Sequence, residues 1–216
     1  MEIYSSIVSF FQQGGVFMVP IVVVLAIGLA IAAERWFFLS KTAMGNRMIW
    51  KKITPYIQAG KFNEAVNVTS KSKTAIATIL TYGLHRTKNS ARRDDIEKAM
   101  EESLMEVMPR LEKRTHYLAT FANVATLLGL LGTIIGLINA FTAVAAANPA
   151  EKADMLSASI SVAMNTTAFG LMVAIPLLLV HTVLQSKTTQ IVDSLEMVAV
   201  KFLNAVEERK HQAQAA

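Results

Sequence analysis

Two threonines, Thr133 and Thr167, lie near the middle of two long apolar segments, residues 118–147 and 157–184. Hydroxyl groups at that depth of a bilayer need hydrogen-bond partners or water, because lipid tails supply neither. For a single threonine, a bond to a carbonyl of its own helix is the simpler interpretation. Polar residues on two successive segments favour a second interpretation, in which these residues line a common polar path. We predict that a polar ion path is lined by Thr133, Thr167, Thr166 and Asn165.

These hydroxyls have no carboxylate beside them in the sequence. The two segments contain no Asp, Glu, Lys or Arg, and their one histidine, His181, lies near the end of the second. Proton relays inside membranes normally use an ionisable side chain. If the path carries protons, we expect the carboxylate to come from a partner protein. No cofactor and no metal site are predicted, and the absence of cysteine excludes disulfides and thiolate ligands.

Small residues in the same segments predict close helix packing. Gly132, Gly136 and Ala140 recur at intervals of four and therefore share one helix face. Such faces let membrane helices approach each other closely. An oligomer held together by this face would be broken up by Gly136→Leu. The predicted packing residues are Gly129, Gly132, Gly136, Ala140, Gly170 and Pro176.

The composition indicates an all-α integral membrane protein with three transmembrane helices, the second and third of which extend into the cytoplasm. Hydrophobic residues make up 53% of the 216 residues, and charged residues only 17%. At about 1.5 Å per residue, residues 118–147 exceed the ~30 Å hydrocarbon core of a bilayer. The predicted divisions are an N-terminal interfacial segment 1–15, transmembrane helix 16–39, a cytoplasmic helical domain 40–116, transmembrane helix 117–147, a short periplasmic loop 148–156, transmembrane helix 157–184, and a cytoplasmic helix and tail 185–216.

Basic residues set the predicted topology. Of the 21 Lys and Arg residues, sixteen lie between Arg35 and Arg114 and four lie from Lys187 onward. Because basic segments flanking membrane spans stay in the cytoplasm, both regions are expected there. The N-terminus is then periplasmic and the C-terminus cytoplasmic, in a bacterial inner membrane. The net charge of +5 follows from these flanking residues, so no nucleic-acid partner is expected.

Residues 40–116 are predicted to form several helices. Breaks are expected at Pro55 and Gly60, since both residue types interrupt helices. Asp94, followed three residues later by Glu97, resembles the capping box at a helix N-terminus.

Helical periodicity also predicts how the cytoplasmic segments join the spans. The helix that begins near Asp94 is expected to continue into the second span without a loop, with a kink at Pro109. The third span is expected to continue as an amphipathic helix whose apolar positions are Ile191, Leu195, Val198, Phe202 and Val206.

Two longer motifs resemble the TolQ/ExbB/MotA proton-channel family, and most closely its three-span ExbB/TolQ branch. They are RLEKRTHYLATFANVATLLGLLGTIIGLINAF (110–141) and ISVAMNTTAFGLMVAIPLLL (160–179). By motif position, Thr133 and Thr167 match lumen-facing threonines of that family, and Pro176 matches the proline of its third-span AIP. One position departs from the pattern: this chain has Val162 where the branch commonly carries a Glu.

The resemblance implies a homopentamer around two helices of an ExbD/TolR-like single-span partner, whose membrane Asp carries the proton. A TonB/TolA-like protein is a further candidate partner. The implied function is a non-enzymatic channel and motor subunit that converts an ion motive force into mechanical work on cell-envelope or transport proteins. Val162 leaves open which load is driven and whether the ion is H+ or Na+. A MotA-type stator is disfavoured, since those have four spans and a larger cytoplasmic domain.

Two alternatives belong to other functional classes. A passive membrane scaffold without ion conduction would need neither a partner carboxylate nor Thr133. An intramembrane hydrolase would need a nucleophile and a base, and the sequence has neither a GxSxG motif nor a membrane histidine near a serine. Dependence of activity on Thr133 distinguishes the motor from the scaffold.

Overall fold

The computed structural model describes residues 10, 11, 14–89 and 92–215, and all regular structure in these ranges is α-helical. Three stretches are long and apolar enough to cross a membrane, Met18–Gln58, Arg93–Ala145 and Lys152–Gln212. The prediction of an all-α integral membrane protein with three long apolar helices is therefore confirmed. The predicted interfacial segment 1–15 falls mostly outside the described residues. The described helices are α1 (Met18–Gln58), α2 (Phe62–Thr69), α3 (Ala75–Asn89), α4 (Arg93–Glu112), α5 (Thr115–Ala146) and α6 (Lys152–Ala215).

The chain divides into two compact units. The first contains Met1–Glu34 and Arg114–Val183, and the second contains Arg35–Lys113 and Leu184–Ala216. Helices α1 and α6 contribute residues to both units. Helix α5 belongs to the first unit, and α2, α3 and α4 belong to the second.

In the first unit, α1, α5 and α6 have both buried and outward-facing apolar side chains. Ile21, Leu118 and Leu177 are almost completely buried. Large apolar residues such as Val19 and Leu127 are more than 60% exposed. A water-soluble unit rarely leaves so many large apolar side chains exposed, whereas a bilayer covers them.

In the second unit, the C-terminal part of α6 supplies much of the core. Its five predicted apolar positions are all buried, which confirms that part of the pattern. Phe202 is completely buried, and a Cβ added at Gly83 would lie 3.0 Å from its ring. Elsewhere in this unit, the Lys187 ammonium lies 4.3 Å from the centre of the Trp36 ring and donates to Ser40 Oγ at 2.6 Å.

Helix α1 passes through Pro55 and ends at Gln58, so the predicted break at Pro55 is wrong. A proline removes one backbone hydrogen bond and crowds the carbonyl four residues earlier, but only about one further turn of α1 follows Pro55. Gly60 does end the helical path, with φ of 71°. Its amide and that of the next residue bond to two carbonyls of the last turn, which is the Schellman arrangement.

The capping box predicted from Asp94 and Glu97 is not formed. Helix α4 begins at Arg93, and Arg92 occupies the N-cap position without a side-chain capping bond. Asp94 and Asp95 lie in the first turn, where negative charge interacts favourably with the helix dipole. The acidic residues therefore mark the start of the helix without capping it.

The predicted continuous helix from α4 into the second span is interrupted. Helix α4 contains Pro109 and ends at Glu112, and α5 begins at Thr115. Between them Arg114 has φ of 66°, in the left-handed region of backbone conformation that residues other than glycine rarely adopt. Instead of the kink predicted at Pro109, the helix is fully broken between Glu112 and Thr115.

Glu34 and Arg35 directly follow the apolar stretch of α1, residues 18–33, and they contact the two sides of this break. The guanidinium of Arg35, which is 2% exposed, donates to the carbonyl of Leu111 near the end of α4. Glu34 forms an ion pair of 3.0 Å with Arg114. A pattern of apolar periodicity carries no information about these two contacts, which is why it did not predict the break.

Candidate functional site

Helices α5 and α6 approach each other closely at two glycines. A Cβ added at Gly170 would lie 2.7 Å from the carbonyl oxygen of Ala125 and 3.0 Å from Gly129 Cα. A Cβ added at Gly129 would lie 3.3 Å from Gly170 Cα. Both neighbours are backbone atoms, so the two helices would have to separate before either position could hold a side chain.

Gly132 and Gly136 extend the same contact along α5. A Cβ added at Gly136 would lie 2.9 Å from the Cβ of Ala163, and one at Gly132 would lie 2.5 Å from Thr166 Cγ2. Ala140 is completely buried. This small-residue face therefore lies against α6 of the same chain, and Gly136→Leu would disturb the fold of one subunit before it disturbed an oligomer. Pro176, in contrast, is exposed.

Thr133 and Thr167 meet at this contact, and their hydroxyls hydrogen-bond to each other. Thr167 Oγ1 also lies 2.9 Å from the carbonyl oxygen of Gly129, four residues before Thr133. Thr133 Oγ1 lies 3.2 Å from that carbonyl and 3.4 Å from the carbonyl of Ala163, four residues before Thr167. Each hydroxyl thus reaches the backbone acceptor of the opposite helix.

This pattern differs from that of two other threonines in the same helices. Thr142 in α5 and Thr182 in α6 are exposed and bond to the carbonyl four residues earlier in their own helix. That bond is the usual one for threonine in a membrane helix. The pair Thr133 and Thr167 is cross-bonded between helices, and both side chains are half-buried.

Thr166 and Asn165 are placed differently from this pair. Thr166 is 2% exposed, and its hydroxyl lies 2.5 Å from the carbonyl oxygen of Gly14 and 3.0 Å from that of Val162. It therefore attaches the segment before α1 to α6. Asn165 is half-buried and makes no side-chain hydrogen bond within the described ranges. Of the four predicted path residues, the structure brings two into contact.

The cluster contains two hydroxyl hydrogens and several acceptors. One hydrogen is used between the two threonines, and the other is directed to a backbone carbonyl. The oxygen lone pairs that remain can accept a hydrogen bond from an incoming donor. The carbonyls of Gly129 and Ala163 were not predicted as members of the site, although the four-residue spacing from each threonine was available in the sequence. Within the part of the chain that the structure describes, no group of three His, Asp or Glu residues could hold a metal ion.

Comparisons with known proteins cover the region that contains this cluster. A family model described as the MotA/TolQ/ExbB proton channel family matches residues 71–197. A protein of Methanothermobacter thermautotrophicus described as an ExbB homolog is 26% identical over 92% of this chain and 70% of its own length. The biopolymer transport protein ExbB of Pseudomonas putida is 29% identical over 76% of this chain and 53% of its own length. The Tol-Pal system protein TolQ of Haemophilus influenzae is 34% identical over 44% of this chain and 41% of its own length.

Proposed function

This chain belongs to the MotA/TolQ/ExbB proton channel family, and we propose that it is the channel and motor subunit of an ion-driven complex of the inner membrane. It works with an ExbD/TolR-like single-span protein, whose membrane Asp takes up and releases the ion. The complex converts the ion motive force into mechanical work on a cell-envelope or transport protein, for which a TonB/TolA-like protein is the candidate. The subunit itself is non-enzymatic.

The cross-bonded pair Thr133 and Thr167 carries this proposal. Hydroxyls that served only their own helices would bond as Thr142 and Thr182 do. Instead, the pair forms one compact polar cluster between the two helices, and both threonines are only half-buried. A polar cluster of this kind, in a segment without ionisable residues, suits a carboxyl group that arrives from another chain.

The hydrogen-bond capacity of the pair suits the two forms of such a carboxyl group differently. A protonated Asp donates one hydrogen bond, which either threonine oxygen can accept with the existing bonds intact. An ionised Asp only accepts, so one hydroxyl must turn away from its neighbour or its carbonyl to serve it. Binding of the protonated form therefore needs less rearrangement of the pair. When the Asp loses its proton, one threonine hydroxyl has to turn and donate its hydrogen to the carboxylate.

The energy source is the membrane potential together with the ion gradient. One elementary charge that crosses 100 mV releases about 2.3 kcal/mol. We propose that five copies of the chain surround the partner helices, with ten threonine hydroxyls forming a belt at the level of the Asp. Each protonation step would then move the partner from one pair to the next.

The test is ion flux through the complex reconstituted in vesicles together with the single-span partner. Thr133→Val with Thr167→Val keeps the side-chain shape and removes both hydroxyls. Each hydrogen bond lost to a charged group is worth about 1.5–3 kcal/mol, so potential-driven proton flux should fall at least about tenfold. A pH-sensitive dye inside the vesicles measures that flux, and replacing Na+ by K+ outside distinguishes the two ions.

The matched control is Thr142→Val with Thr182→Val, which removes two hydroxyls from the same helices without touching the pair. Its flux should equal that of the unmodified chain. If the Thr133 and Thr167 variant assembles and conducts at the normal rate, the two threonines only pack the helices. If the unmodified complex does not conduct at all, the passive scaffold is the better description.

A further inference from the structure

We propose that a cleft in the second unit binds an anionic phospholipid of the leaflet next to the cytoplasmic helices. The cleft has a volume of about 570 Å³ and is formed by α1, the start of α3 and the end of α4. Its charged lining residues are Lys41, Lys73 and Arg110. Among the described residues that line it, there is no Asp or Glu.

The cleft includes the part of α1 that follows the apolar stretch of residues 18–33 in the sequence. Leu111 lines it, and the carbonyl of Leu111 accepts a hydrogen bond from Arg35, which follows that stretch directly. Trp36 and Phe37 are exposed, as aromatic residues are at the boundary between lipid and water. Lys41 is five residues beyond Trp36, about 8 Å along the helix, which is the thickness of a headgroup layer.

The charges in the cleft are available to a phosphate. Lys41 and Lys73 are exposed and have no ion-pair partner among the described residues. Arg110 is partly compensated by Glu106 at 3.4 Å, so the two lysines supply most of the attraction. A basic residue at an anionic membrane surface contributes about 1 kcal/mol.

Asn46 adds a neutral donor among the residues that line the cleft. The residue is 2% exposed, and its Oδ1 accepts the amide hydrogen of Ile76 at 3.3 Å. Its Nδ2 has no hydrogen-bond partner in the described ranges, although burial makes an unpaired donor unfavourable. A small rotation of the side chain would bring this donor to the wall of the cleft, where a phosphate or glycerol oxygen would supply the missing acceptor.

The apolar residues of the cleft favour a lipid over a free phosphate. Phe38, Met44 and Met48 line the same cleft and are exposed, Met44 by 65% and Met48 by 57%. An acyl chain beside the phosphate would cover these side chains, whereas a free anion would leave them in water. The combination of unpaired lysines and exposed apolar side chains therefore fits a phospholipid.

The test is native mass spectrometry of the full chain in detergent, titrated with phosphatidylglycerol and with phosphatidylcholine of the same acyl chains. Phosphatidylglycerol should bind more tightly. Lys41→Gln with Lys73→Gln should weaken phosphatidylglycerol binding about 25-fold, because the loss of each lysine weakens it about fivefold. The matched control, Lys51→Gln with Lys71→Gln, removes two exposed lysines outside the cleft and should leave the affinity unchanged.

A second variant tests the apolar part of the cleft independently. Met44→Ser with Met48→Ser should weaken long-chain phosphatidylglycerol by several-fold and leave the weak binding of glycerophosphoglycerol unaltered. Equal affinity for the two headgroups would overturn the proposal, as would an equal effect of the two lysine pairs. Displacement of the lipid by the same concentration of inorganic phosphate would replace it with a free-anion site.

Discussion

Gly170→Ala tests the close approach of α5 and α6 directly. The new Cβ would lie 2.7 Å from the carbonyl oxygen of Ala125, and ordinary contact begins at 3.4 Å. The helices would therefore have to separate by about 0.7 Å, because backbone atoms cannot turn aside as a side chain can. The same movement would lengthen the bond from Thr167 Oγ1 to Gly129, now 2.9 Å, to about 3.6 Å, which is no longer a hydrogen bond.

The magnitude follows from three terms. Overpacking of a close contact costs about 1–3 kcal/mol, and the lost hydrogen bond costs about 1 kcal/mol. Alanine returns about 1 kcal/mol through its higher helix propensity. The net loss in the free energy of unfolding is about 2 kcal/mol, which for a chain of this size lowers the Tm by about 4–8 °C.

Thermal unfolding of the detergent-solubilised chain, followed by circular dichroism, measures this change. Gly45→Ala is the matched control, because Gly45 is also inside a helix and its added Cβ would meet only a side-chain methyl of Thr74, at 3.2 Å. That methyl can shift by a few tenths of an ångström, so the Tm should stay equal or rise slightly. A Gly170→Ala chain as stable as the unmodified one would refute the backbone contact between α5 and α6.

Two further predictions concern the break between α4 and α5, and both are measured as changes in Tm. Arg35→Met leaves the buried carbonyl of Leu111 without its donor, which costs about 1–3 kcal/mol, while the exposed Arg47→Met should change nothing; equal Tm values for both variants would contradict a role for the buried guanidinium. Arg114→Gly removes the strain of a left-handed residue, worth about 1–2 kcal/mol, and Arg114→Val keeps it. The glycine variant should melt at least about 2 °C above the valine variant, and the reverse order would argue against a left-handed residue there.

The three long apolar helices could be predicted because the bilayer imposes long apolar stretches. The pattern of residues 185–210 was equally informative, since the five positions predicted to be its apolar face are all buried. Helix ends were harder to predict. They depend on contacts between distant residues, such as that of Arg35 with Leu111, and on how much of a helix follows a proline such as Pro55.

For the candidate site, the sequence indicated Thr133 and Thr167 but not their contact. Their pairing depends on the register between α5 and α6, which is set by the backbone approach at Gly129 and Gly170. Periodicity within one helix contains no information about that register. The separation of Thr166 from the pair was predictable, since consecutive residues of a helix point about 100° apart and cannot share one face.

The position of Trp36 has an optical consequence. The chain has only two tryptophans, Trp36 and Trp50, and both belong to α1. The ammonium of Lys187, on α6, lies 4.3 Å from the centre of the Trp36 ring, and a charge so close to an indole alters its emission energy. With Trp50→Phe, the remaining fluorescence would report the distance between α1 and α6 at this level, without any attached dye.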